Sequence, residues 1–128
     1  MVFESFAHVP VTAELLRHVW EGEDDPSKGG HRFGLGRELK TEFPEDWDLA
    51  RVELAINLVL SSPQVVRYRP GPFTIARQVG EVIVEVKIAI KAGEMWIMTA
   101  YPVCGTGVVS NQRGLRVAKP LDISVLEA

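Results

Sequence analysis

The apolar positions of this chain change period once, and the change divides it into a helical half and a strand half. Leu15, Leu16 and Val19 recur at helical spacing behind Thr12, a good N-cap residue, and predict a short first helix. From Glu21 to Gly36 no such period exists; Gly22, Pro26, Gly29, Gly30, Gly34 and Gly36 punctuate what reads as a loop. A second helix is expected after Pro44, where Glu45, Asp46 and Asp48 suit the positive end of a helix. Leu49, Val52, Ile56 and Val59 form its apolar stripe, and Ser61-Ser62-Pro63 stops it.

Beyond Pro63 the period falls to two. Val65 to Arg69 and Phe73 to Val79 read as strands separated by Pro70-Gly71-Pro72. From Glu81 to Ile90 the alternation places Val82, Val84, Val86, Ile88 and Ile90 on one face and Glu81, Glu85 and Lys87 on the other. Ala92-Gly93 supplies a hairpin turn into a strand from Glu94 to Tyr101. Strict alternation there would put Met95, Ile97, Thr99 and Tyr101 on a single face. In the tail, Gly105, Gly107 and Gly114 predict a flexible loop, followed by short strands at Leu115 to Ala118 and Ile123 to Leu126. No repeat, linker or low-complexity run divides the sequence, so residues 1–128 read as one α+β domain, with N-terminal helices packed on one side of an antiparallel sheet.

Composition narrows the classes. A chain of 128 residues, 46% hydrophobic and 24% charged, can bury one core without a disulfide or structural metal. Apolar runs such as Leu54 to Leu60 are interrupted and too short to span a bilayer, so no membrane segment is expected. The first residues lack the succession of a signal peptide, so export would require another element or a fused carrier. Cys104 is the only cysteine, which excludes an internal disulfide and a thiolate-rich metal site. The net charge of −3 argues against broad electrostatic binding of nucleic acid; an RNA substrate would require the basic residues to cluster locally.

Candidate chemistry centres on the histidines. His18 falls near the end of the first helix, and His31 in Lys28-Gly29-Gly30-His31-Arg32-Phe33-Gly34, where flanking glycines let a ring approach a substrate closely. Two imidazoles are what metal-free RNA cleavage needs: one takes the ribose 2′-OH proton and the other protonates the departing 5′-oxygen. Taken singly, a histidine is more often a surface or capping residue. Arg32 and Lys40 are phosphate-binding candidates that equally suit a solvated surface, and Thr99 and Tyr101 are a hydroxyl pair that equally suits a strand. Asp24-Asp25 beside Glu21, Glu23 and Pro26 reads as a solvated loop. His8 and Cys104 lack metal-ligand spacing, and the glycines match neither a P-loop nor a dinucleotide fingerprint. The residues alone therefore give a soluble α+β domain with a two-histidine candidate site.

A resemblance extends that reading. His18-Val19-Trp20, Gly29-Gly30-His31-Arg32-Phe33-Gly34, Lys40-Thr41-Glu42-Phe43-Pro44 with Trp47, and Thr99-Ala100-Tyr101-Pro102 occur in an order that resembles the bacterial EndoU nuclease domains of contact-dependent inhibition proteins and related polymorphic toxins. The resemblance covers about residues 17–102. It implies a barnase/EndoU/colicin/RelE-like fold and an endoribonuclease that cleaves RNA, often tRNA, by transesterification to a 2′,3′-cyclic phosphate. No metal and no cofactor are expected. His18 and His31 would be the two catalytic histidines. Thr99 would stand where the animal and viral branches use a lysine, and Tyr101 would position the nucleotide. Arg32, Phe33 and Lys40 would bind substrate, although the family often has a second histidine where Phe33 stands. Which histidine is acid and which base does not follow from the sequence, and Lys87 and Lys91 are alternative cations. The resemblance further implies delivery as part of a larger toxin, action in the cytoplasm of a target cell, and a cognate immunity protein. Two alternatives belong to other classes: a catalytically silent module binding RNA or protein through the Gly29 to Gly36 loop, and a metal-assisted hydrolase using His8, His18 and His31.

Overall fold

A computed structural model of the protein describes residues 5–127. The first helix, α1, spans Ala13–Trp20, and Thr12 caps it by accepting from the Leu15 amide at 3.0 Å. Its apolar stripe buries Leu15 and Val19. The second helix, α2, spans Leu49–Ser61 and begins later than the acidic residues after Pro44 suggest. Asp48 is its N-cap, accepting from Arg51 N at 2.8 Å, and Pro44 to Trp47 forms a separate turn. The cap chemistry of Asp48 outcompetes the charge preference of Glu45 and Asp46 because only Asp48 has the extended backbone that a cap requires.

Among the described residues seven strands form two antiparallel sheets, one strand lying between the helices and six after them. Strands β2 (Val65–Arg67), β3 (Phe73–Val79), β4 (Val82–Lys91) and β5 (Glu94–Gly105) lie in that order in the larger sheet. The smaller sheet has the order β1 (Thr41–Glu42), β6 (Val109–Gln112), β7 (Leu115–Ala118). The fold is thus α+β, as the pattern of the chain predicts. β6 lies in the stretch that reads as a flexible loop and β1 in residues given no element, because two- and four-residue strands are too short to show a period. β7 occupies the expected residues. Ile123–Leu126 is not a strand but a single 3₁₀ turn, capped by Asp122, which accepts from Ser124 N at 3.0 Å.

One face of the larger sheet is closed by the helices. Val82, Val84, Val86 and Ile88 of β4 join Val52, Ile56 and Val59 of α2, Val19 of α1, and Phe6, Phe43 and Phe73 in a single core. Ile90, on the same face, is exposed because it lies past the end of that packing. The opposite face is covered only in part: the C-terminal segment lays Leu121, Val125 and Leu126 over Val65, Ala76, Ile83 and Cys104. What this tail leaves open is where the candidate chemistry lies.

Strand β5 does not alternate regularly. Ile97 pairs with Ile88, but Thr99 pairs with Lys87, so Met98 is an extra residue on this strand. Ile88 and Lys87 point to opposite faces, and their partners follow them: Ile97 enters the core, while Thr99 and Tyr101 turn to the open face opposite Lys87 and Glu85. The expectation that Ile97 shares a face with Thr99 and Tyr101 is corrected by this bulge.

Candidate active site

The two histidines are held by the joint between α1 and the loop after it. A helix leaves its last carbonyls without intrahelical partners. Here the glycine loop returns to supply them: Gly30 N donates to His18 O at 3.0 Å, His31 N to Val19 O at 2.7 Å, and Arg32 N to Trp20 O at 3.1 Å. The return requires Gly29 at φ +71°, where a Cβ would collide with the His18 carbonyl oxygen and stand 3.0 Å from the His18 ring. The same hydrogen bonds that complete the helix thereby place His31 beside His18.

His31 is 4% exposed and fixed on every side. Its carbonyl accepts from Phe43 N, and its Nδ1 donates to Thr41 O at 2.7 Å, leaving Nε2 as the basic nitrogen. Burial holds the His31 pKa down to about 4; the Thr41 hydrogen bond works against this, and the neighbouring Lys40 and His18 work with it. His31 is therefore neutral at pH 7. Its ring lies 5.7 Å from that of Tyr101 at an interplanar angle of 34°.

His18 is arranged differently. Its Nδ1 lies 3.0 Å from a Glu23 carboxylate oxygen and its Nε2 lies 3.0 Å from Thr99 Oγ1. Both ring nitrogens thus face oxygens able to accept, an arrangement that satisfies an imidazolium completely. Arg37 holds the loop that carries Glu23, donating to Glu23 O at 2.6 Å, Asp25 O at 3.1 Å and Lys28 O at 3.3 Å.

These groups border one cavity of about 670 Å³, lined by His18, His31, Lys28, Lys40, Lys87, Thr99 and Tyr101 among others. Its lining contains three lysines and no carboxylate, although the chain as a whole is acidic. The local clustering of basic residues that an RNA substrate would require is thus present. Lys40 has its pKa pushed down, first by burial and then by Arg37 and Lys87. Tyr101 has its pKa pushed up by burial and by Glu85, to whose carboxylate its hydroxyl donates.

Five of the seven residues singled out in the sequence meet at this cavity: His18, His31, Lys40, Thr99 and Tyr101. Arg32 and Phe33 do not line it. Arg32 pairs with Glu21 at 3.2 Å, and Phe33 lies under the Arg116 guanidinium, 4.7 Å from the ring centroid. Of the alternative cations, Lys87 borders the cavity and Lys91 does not.

Three carboxylates escaped the sequence reading. Glu23 meets His18, Glu85 meets Tyr101, and Glu42, next to Thr41, ties the glycine loop to the smaller sheet. Glu42 is 1% exposed and accepts from Gly34 N at 2.9 Å, Gly36 N at 2.8 Å, Asn111 Nδ2 at 2.9 Å and Arg116 at 2.7 Å. Burial alone would raise its pKa, but the donors from Asn111, Gly34, Gly36 and Arg116 outweigh it and hold the carboxyl below its ordinary value. Glu23 meets His18 only five residues away, but across a loop with no regular period to mark the contact; the partners of Glu85 and Glu42 come from other strands or from loop amides.

Among the described residues, no three His, Cys, Asp or Glu side chains converge as a metal cage, and no helix is long and apolar enough to cross a membrane. No family model matches the chain, and neither a curated protein nor a solved structure matches it.

Proposed function

We propose that this domain is an endoribonuclease that cleaves RNA by metal-independent transesterification, with His31 as general base and His18 as general acid. The observation that carries the reading is the pairing of two differently prepared imidazoles across one basic cavity: His31 neutral by burial, His18 set between Glu23 and Thr99. A neutral ring able to accept a proton, facing a second ring held between two oxygens, is the arrangement that general acid-base exchange requires. In the reaction, His31 Nε2 takes the proton of the ribose 2′-OH as that oxygen attacks phosphorus. The bond from phosphorus to the 5′-oxygen breaks, and that oxygen receives a proton from His18 Nε2. The products are a 2′,3′-cyclic phosphate and a 5′-hydroxyl. Lys40, Lys87 and the Thr99 hydroxyl supply positive charge and a donor for the non-bridging oxygens. Tyr101, tied to Glu85 and set against His31, forms a wall for the nucleotide.

By its resemblance to the EndoU toxins we assign the domain a role in interbacterial competition: delivery within a larger toxin, action on tRNA in a target-cell cytoplasm, and neutralisation by an immunity protein that fills the cavity. The test is incubation with total tRNA in EDTA, with end-group analysis of the products. Cyclic phosphate termini that vanish in His18→Ala and His31→Ala are expected. Intact RNA, or cleavage indifferent to both substitutions, would refute the reading.

A further inference from the structure

The uncovered face of the larger sheet continues past Tyr101, away from the histidines. Registered pairing sets out one row of side chains across four strands: Arg67 opposite Thr74, Thr74 opposite Lys87, and Lys87 opposite Thr99. Directly opposed residues of antiparallel strands share a face, so this row begins in the cavity and ends at Arg67. The next row is Val65, Ala76, Glu85 and Tyr101. A second cavity of about 310 Å³ opens there, bordered by Arg67, Arg69, Glu85, Val103 and Val125.

The charge in this second cavity is unevenly used. Arg67 lies 3.7 Å from Glu85 and also donates to the carbonyls of Val125 and Glu127 in the tail, so its charge is answered locally. Arg69 is exposed, and its charge reaches the Tyr101 hydroxyl. Thr74, 9% exposed and between Arg67 and Lys87, has a buried hydroxyl without a hydrogen-bond partner. That hydroxyl lies beneath the surface and lines neither cavity, so the charged groups that a ligand can reach here are Arg67, Arg69 and Lys87.

We propose that the sheet face formed by Arg67, Arg69 and Lys87 is a subsite for a second phosphodiester of a single-stranded RNA whose scissile phosphate lies between the histidines. The inference rests on the ribonuclease reading above. Lys87 and Arg67 are two strand spacings apart, about 10 Å, so the row leads a chain from the scissile position toward a neighbouring phosphate. Lys87 stands between the two positions and serves both. Glu85 neutralises Arg67 and leaves Arg69 as the cation free to receive the phosphate, while Arg67 anchors the tail that walls the groove.

The prediction is that affinity rises with the number of phosphates through Arg69. A fluorescent hexanucleotide made with 2′-deoxyribose binds without being cut, because the nucleophile is missing. Its affinity, and the cleavage of an ordinary ribodinucleotide, are measured for the wild type, Arg69→Gln and Arg69→Lys. Arg69→Gln is expected to weaken hexanucleotide binding about fivefold and to flatten the slope of log affinity against log salt by about 0.7, as loss of one phosphate contact does for a single strand. Arg69→Lys restores the slope, and dinucleotide cleavage is unchanged in both variants. Unchanged hexanucleotide affinity, or an equal loss on the dinucleotide, overturns the subsite. Should the wild type cut no RNA while Arg69→Gln still weakens the hexanucleotide, the ribonuclease reading falls and the groove stands as an RNA-binding surface.

Discussion

His18 Nε2 and Thr99 Oγ1 lie 3.0 Å apart although 81 residues separate them in the chain. One comes from the last turn of α1 and the other from just past the bulge in β5, so the contact ties the helical half to the sheet at the reacting position. Glu23 completes the line on the far side of the ring. Glu23→Gln keeps the shape but replaces the carboxylate beside His18 Nδ1 with a neutral amide that can accept or donate, so the ring is oriented less firmly. Glu23 is half exposed, and solvent screens its contribution. The expected loss is therefore about tenfold in kcat with little change in KM, against at least a hundredfold for His18→Ala. Steady-state kinetics on a dinucleotide separates them; a Glu23→Gln enzyme as slow as His18→Ala would mean that Glu23 does more than hold the ring.

The buried state of His31 makes stability depend on pH. In the unfolded chain its pKa is near 6.5, and in the fold it is about 4. Between those values the unfolded state binds a proton that the folded state refuses, so stability rises with pH across the window and is fully present above about 6.5. The whole span corresponds to about 3 kcal/mol, lost between pH 6.5 and pH 4. Denaturant titrations at several pH values should show this slope in the wild type and lack it in His31→Gln. An identical slope in both proteins would assign the effect to another group. The same pKa sets the acid limb of kcat/KM near pH 4 for a His31 base.

Much of this arrangement was legible in the sequence, and the exceptions have a common cause. The Thr12 cap, the apolar stripe of α2 and the alternation of β4 are local patterns, and the structure keeps them. Thr99 and Tyr101 do share a face, but Ile97 does not join them, because Met98 is inserted to match Thr99 with Lys87. A bulge is decided by the partner strand and leaves no period of its own. Glu42 reads as an ordinary charged residue next to Phe43, and only the return of the Gly34 to Gly36 loop and the approach of β6 and β7 make it a buried acceptor. Arg32 and Phe33 fail as cavity residues for a related reason: Glu21 and Arg116 claim their side chains from outside the motif.

Glu42 offers a test of the buried network that ties the glycine loop to the smaller sheet. Its carboxylate joins the glycine loop, Asn111 of β6 and Arg116 of β7. Glu42→Gln keeps the shape, removes the charge and sets an amide donor against groups that are themselves donors. Breaking a buried charge network of this kind costs about 3 kcal/mol. The wild-type carboxyl titrates below its ordinary value, so its contribution is present above about pH 4.5 and fades as pH falls through the folded pKa. Chemical denaturation at pH 7 should register the loss, and the difference between wild type and variant should shrink below pH 4. A difference that persists unchanged at low pH would point to packing rather than to the charge.

Gly29 is the position where a single methyl group should separate folding from catalysis. Its φ of +71° is costly for any residue with a Cβ, by about 1 kcal/mol. The added Cβ would also meet the His18 carbonyl oxygen, the acceptor for Gly30 N, and press on the ring at Cε1 and Nε2. Relief requires the loop to move off the end of α1, which carries His31 away from His18. Gly34 has the same handedness, φ +87°, but open space around its missing Cβ. The pair is therefore a controlled comparison: Gly34→Ala bears the backbone strain alone, and Gly29→Ala bears strain and collision together. Thermal unfolding should place Gly34→Ala modestly below wild type and Gly29→Ala lower again, while cleavage by the folded protein falls at least a hundredfold only in Gly29→Ala, since a displacement of about 1 Å in a reacting group costs that much. Equal activities would show that the loop can shift without separating the histidines, and that their alignment depends on Thr41 and Thr99 rather than on the return to the helix end.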